Sequence, residues 1–121
     1  MEEKRKLYDL EERTLVFAKS IRSFVKALPR NLANIEDAKH LIRSSGSIGA
    51  NYREANESLG KRDFFMRIRI SRKEAKESIF WLELIDVGNN TDLDRQRRDL
   101  IVESTELMKI FGSILQKSGS V

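Results

Sequence analysis

Cysteine is absent from this 121-residue chain, which removes disulfides, thiolate metal sites and cysteine nucleophiles together. Histidine is almost as scarce, since His40 stands alone. Di-iron sites in helical bundles take two Glu-x-x-His motifs, so that chemistry fails on residue count, and no metal or cofactor is expected. His40 follows Glu36 by one helical turn and reads as a solvated or capping residue. Ser44, Ser45 and Ser47 lack the placed histidine that a serine triad requires. No P-loop or dinucleotide fingerprint occurs. The sequence therefore points away from an enzyme and from any small-molecule substrate.

Helix breakers are also few. Pro29 is the single proline, and six glycines are scattered along the chain. Such scarcity predicts long helices with few turns. No run approaches the roughly 18 apolar residues of a membrane span. The charged start, Met1 to Lys6, is followed by no apolar core, which argues against a signal peptide and for a cytoplasmic protein.

What remains is charge and amphipathic pattern. Charged residues make up 35% of the chain against 40% hydrophobic ones, a balance that suits long solvated helix faces. Length and pattern predict a single all-α domain over residues 1–121, an antiparallel up-down-up-down four-helix bundle. Leu10, Phe17, Ile21, Phe24 and Leu28 share one face of a first helix over about 10–28, capped by Asp9 and stopped by Pro29. A second helix over about 35–59, with Asn34 as cap, turns Ala38, Leu41, Ile42, Ser45, Ile48, Gly49, Tyr52 and Ala55 inward. A third, about 62–87, does so with Phe64, Ile68, Ser71, Ala75, Ser78, Ile79, Leu82 and Ile85, and Gly88-Asn89-Asn90 supplies its C-cap. A fourth, about 92–116 behind Thr91 or Asp92, uses Leu93, Leu100, Ile101, Leu107, Met108, Phe111, Ile114 and Leu115.

Two glycines within the second helix each cost about 1 kcal/mol relative to alanine. Ser45, Gly46 and Gly49 are accordingly expected to let another backbone approach closely. The spacing of Gly46 and Gly49 matches the nucleotide-clamping loop of KH domains, but the strand context of that loop is missing.

The net charge of +4 favours an anionic partner. From Lys61 to Lys76, seven basic residues face two acidic ones, and Arg62, Arg69, Arg72, Lys73 and Lys76 fall on one side of the third helix. These five are the candidate contacts to RNA or DNA phosphates. The plainer alternative is a solvated face balanced by neighbouring carboxylates. Met66, Ile70, Phe80, Trp81 and Leu84 read as a second apolar side of the same helix, too large for a monomer to expose, and so as a self-association surface; the plainer alternative is a helix more deeply buried within its own bundle. Arg95, Arg97 and Arg98 open the fourth helix, where its dipole disfavours cations, and suggest an external carboxylate or anion.

Three segments carry a family resemblance. They are Ile42-Arg43-Ser44-Ser45-Gly46-Ser47-Ile48-Gly49-Ala50-Asn51-Tyr52-Arg53-Glu54-Ala55, then Asp63-Phe64, then Ser71 to Leu84, preceded by a fitting first helix from Asp9. Together they resemble the four-helix-bundle family of 23S ribosomal RNA intervening-sequence proteins, in order and spacing across nearly the whole chain. The Ser-Ile-x-Ala-Asn-x-x-Glu core is its most specific element. The resemblance implies a ring-shaped homopentamer without catalytic residues. Some members are encoded inside insertions in large-subunit ribosomal RNA genes. A related branch, the accessory proteins of diversity-generating retroelements, binds nucleic acid and a reverse transcriptase. The stretch around the third helix is closer to the intervening-sequence branch.

Overall fold

Asp9 is the N-cap of the first helix, its Oδ1 accepting from the backbone N–H of Glu12 at 3.1 Å. The computed structural model describes residues 9–117, and among these it contains four α-helices and no strand. They are α1 (Leu10–Lys26), α2 (Leu32–Asn56), α3 (Lys61–Leu84) and α4 (Thr91–Gln116). Each helix packs on its chain neighbour, and α4 closes back onto α1, while across the diagonal α2 and α4 meet through side chains, Tyr52 lying 5.8 Å from Phe111 between ring centres.

The apolar stripes meet in one core. Phe17, Ile21 and Phe24 of α1, Leu41 and Ile48 of α2, Ile68 and Leu82 of α3, and Leu107, Phe111 and Leu115 of α4 are essentially inaccessible to solvent. Burying side chains of this size supplies about 1.5–3 kcal/mol each. The core also holds hydroxyls. Ser44 and Ser78 share a hydrogen bond at 2.8 Å, Ser71 donates to the Ile48 carbonyl at 2.9 Å, and Ser104 donates to the Ala75 carbonyl at 2.8 Å. Small side chains let α3 approach both neighbours, and each of these hydroxyls is hydrogen-bonded.

Several expected boundaries move, each for a local reason. Helix α1 stops at Lys26, two residues short of the expected end, and Leu28 is buried in the turn before Pro29. The α2 cap is Asn31, in extended backbone with its Oδ1 accepting from the Asn34 N–H at 2.9 Å, and not Asn34. Asn34 is instead buried inside the first turn. Its amide donates to the Pro29 and Asp86 carbonyls at 3.0 and 2.7 Å, and its Oδ1 accepts from the Asp86 N–H at 3.0 Å. One side chain thereby ties the α1–α2 turn to the α3–α4 turn.

Helix α3 ends at Leu84 because Ile85 turns extended and buries itself, as does Val87. Gly88 is therefore not the C-cap of α3; it takes a positive φ of 67° in the turn beyond. Asn90, rather than Thr91 or Asp92, caps α4 by accepting from the Leu93 N–H at 3.0 Å.

The close approach expected of the α2 glycines occurs at Gly49. A Cβ there would stand 2.7 Å from Thr14 Oγ1, too near for any real contact. Gly46 is different: its Cβ would meet only the end of the Arg22 side chain, at an ordinary 3.7 Å. Ser45 is buried beside them and donates to the Ile42 carbonyl at 3.2 Å.

Candidate nucleic-acid and self-association surface

Helix α3 is gripped on two flanks, and these decide what its outer side presents. Toward α2, Arg67 donates to Asn51 Oδ1 at 2.9 Å, Arg43 pairs with Glu77 at 3.2 Å and with Glu74 at 3.5 Å, and Trp81 stacks on His40. Toward α4, Ala75 accepts from Ser104, and the Arg72 Nε lies 3.7 Å from where a Cβ on Gly112 would be. The side away from both carries Arg62, Met66, Arg69, Lys73, Lys76, Phe80 and Leu84 in steps of three and four residues. Such spacing keeps them on a single stripe.

The basic candidates and the outer apolar candidates share this side of the helix. Met66, Lys73 and Phe80 follow one another at heptad intervals, so apolar and basic side chains alternate along one line. Met66, Phe80 and Leu84 are about half exposed, at 46%, 54% and 51%. Ile70 and Trp81 leave the stripe, rotating toward α2, and are only partly accessible. The Trp81 indole packs against the core cluster and lies 4.4 Å from the His40 ring, nearly parallel at 12°. It is not the outward anchor that the sequence suggested. Phe80 meets Trp81 edge to face at 5.0 Å.

All five candidate cations are exposed, and among the described residues none forms an ion pair. Other arginines are engaged. Arg13 of α1 binds Glu103 and Glu106 of α4 at 2.8 Å each. Glu74, an acidic residue within the same stretch, turns inward and away from the row. That carboxylate is nearly buried beside Arg43, with its Oε1 making no hydrogen bond.

The cations opening α4 need no external anion. Arg97 donates to Asp94 at 2.8 Å and to the Ile85 carbonyl at 2.6 Å, while Arg95 reaches Asp92 and Arg98 reaches Asp94 at 3.5 Å. The bond from Arg97, helped by the charge of Arg98, holds the Asp94 carboxyl below its usual range. Among the described residues no group of acidic or histidine side chains is placed to hold a metal ion, and no helix is long and apolar enough to cross a membrane.

The His40–Trp81 stack and the Asn34 bridge were invisible in the sequence, because their partners lie 41 and 52 positions away with no periodic signal to join them.

No curated protein matches the chain. A solved structure does: a protein of unknown function from the S23 ribosomal protein family of Bacteroides thetaiotaomicron VPI-5482, 35% identical, with a TM-score of 0.75 over 87% of this chain and 96% of that one. The family model for the 23S rRNA-intervening sequence protein matches residues 8–113. With that match over most of its length and the likeness of the S23 structure, the chain belongs to the 23S rRNA-intervening sequence protein family.

Proposed function

We propose that this chain is a non-catalytic, cytoplasmic protein that works as a ring-shaped homopentamer and holds RNA or DNA by its phosphates on the outer stripe of α3. The observation that carries the reading is the exposed row Arg62, Arg69, Lys73 and Lys76, flanked by Arg72, with no carboxylate of the described residues pairing any of them. Guanidinium and ammonium groups displayed in this way exchange bound counterions for phosphates, which is the main source of sequence-independent affinity. The lone histidine is occupied in stacking on Trp81, which supports a binding role over a catalytic one.

An antiparallel up-down-up-down order is supported by the α2–α3 contacts. As the α2 partner advances from Ser44 to Ile48 to Asn51, its α3 partner recedes from Ser78 to Ser71 to Arg67. Connections of only four to six residues favour the same arrangement.

A salt-titrated binding assay on fluorescent oligonucleotides tests the phosphate reading. The Arg69→Gln/Lys73→Gln/Lys76→Gln variant should lose most of the affinity. Wild-type binding no tighter than that of an unrelated protein of equal charge overturns it.

A second reading has its own observation. Phe80 and Leu84 beside Trp81, and Met66 beside Ile70 nearer the start of the helix, are exposed apolar side chains suited to another protein or a second copy. In that reading the chain is an interaction scaffold with no nucleic-acid role. Complexes that survive high salt favour it, because apolar contacts are not screened.

A further inference from the structure

We infer that Phe80 is a base-stacking platform at the end of the cationic row, and that the polynucleotide taken by α3 is single-stranded. The inference rests on the phosphate-contact reading above and names its ligand class. Three observations carry it.

The first is position. Lys76 and Lys73 precede Phe80 by four and seven residues on the same stripe, so their ammonium groups stand about one and two helical turns from the ring. A strand whose phosphates lie on those lysines brings its bases to the phenyl face. The second is support. Phe80 is 54% exposed yet backed by Trp81, and Trp81 is itself clamped by the parallel ring of His40. A ring held from behind loses little freedom when a base stacks on it, and every base offers a π-face.

The third is the setting of α3. A duplex hides its base faces and shows only edges, and a helix reads those by entering the major groove, about 12 Å wide. An α-helix with side chains is already about 10–12 Å across. Helix α3 is flanked by α2 from Arg67 to Trp81 and by α4 at Arg72 and Ala75, so only its outer stripe is offered to a nucleic acid, and deep insertion would bring the neighbouring helices against the groove walls. A flexible strand can lie along its outer stripe instead.

A second copy is a poorer occupant of this stripe. It would have to cover Phe80 while desolvating the lysines one and two turns away, which is costly unless each meets a carboxylate. Phosphates match those charges directly.

Fluorescence anisotropy with the full-length protein decides the matter, using labelled oligothymidylate and oligouridylate of about 20 nucleotides and a blunt duplex of equal length, at about 50 mM salt. Both single strands should bind more tightly than the duplex. Phe80→Leu should weaken single-strand binding between about 5-fold and 150-fold, leaving the weaker duplex binding in place, and Phe80→Tyr should retain affinity. Circular dichroism and sedimentation of Phe80→Leu should match wild type. Single-strand affinity untouched in Phe80→Leu, or a duplex bound as well as a single strand, overturns the stacking role and leaves the phosphate reading standing. A drop in the sedimenting mass of Phe80→Leu assigns the ring to a subunit contact and also overturns it. Absence of wild-type binding to all three probes removes the phosphate reading itself, and the stacking role with it.

Discussion

Gly49 on α2 faces Thr14 on α1 so closely that a β-carbon would intrude to 2.7 Å from the threonine Oγ1 and 3.1 Å from its Cβ. Thr14 is buried and β-branched, and its hydroxyl is committed to the Leu10 carbonyl at 2.7 Å. It has no room to yield. Gly49→Ala should therefore destabilise the protein by about 1–3 kcal/mol, overriding the helix-propensity gain of about 1 kcal/mol. Gly46→Ala, with space around it, should be neutral or stabilising by up to about 1 kcal/mol. Denaturant melts of the two variants check the contrast. Adding Thr14→Ala to Gly49→Ala should recover part of the loss, which a double-mutant cycle reads directly.

Asn34 offers a second test, because one amide satisfies groups in both turns at its end of the molecule. Asn34→Ala leaves the Asp86 N–H and the Asp86 and Pro29 carbonyls without this partner, and a loss of about 2–3 kcal/mol is expected. Asn34→Asp should be at least as damaging, since a carboxylate would face two carbonyl oxygens. Thermal unfolding that places either variant at wild-type stability contradicts the bridging role.

The Asp94–Arg97 bond should appear in the acid limb of stability. The Asp94 carboxyl has a lower pKa folded than unfolded, where the reference value is about 3.9. Its contribution is thus present above about pH 4 and is lost as pH falls through the folded value. Asp94→Asn should be less stable than wild type near neutrality, and the difference should shrink below about pH 4. Urea melts over this range measure it. A constant difference would falsify the linkage.

Removing charge from the α3 stripe should change the salt dependence of nucleic-acid binding in a countable way. Each of Arg69→Gln, Lys73→Gln and Lys76→Gln should lower the slope of log affinity against log salt by about 0.7 on a single strand. The effect should not depend on base sequence. Variants with reduced affinity but an unaltered slope would show that these side chains do not meet phosphates.

Trp81 is the chain's single tryptophan, so its stack on His40 can be followed by fluorescence. His40→Ala should shift the emission and cost about 0.5–1.5 kcal/mol of stability, a typical value for an aromatic pair. Trp81→Ala should lower thermal stability, because the indole packs on the protein's own core. If self-association uses this helix, Met66→Ser and Leu84→Ser should lower the mass in light scattering before helicity falls.

Much of the architecture was legible in the residues. The apolar spacing of Phe17, Ile21 and Phe24, or of Leu107, Phe111 and Leu115, repeats at the helical period, and a buried stripe needs no knowledge of its partner to be recognised. Helix number, rough bounds and the family core from Ser47 to Glu54 all follow from local sequence. The basic row was legible for the same reason, since its members lie within 15 residues of one helix.

Tertiary structure decided which of those local options were realised. Only packing shows that Glu74 turns inward to Arg43, away from the row, and that Trp81 is occupied by His40 while Phe80 remains outside. The choice of Asn31 over Asn34 as cap was likewise made by distant Asp86, which draws the Asn34 amide into the opposite turn. Periodicity reports which side of a helix is apolar. Which individual side chains meet across helices depends on rotation and register, and those are set by contacts between residues far apart in the chain.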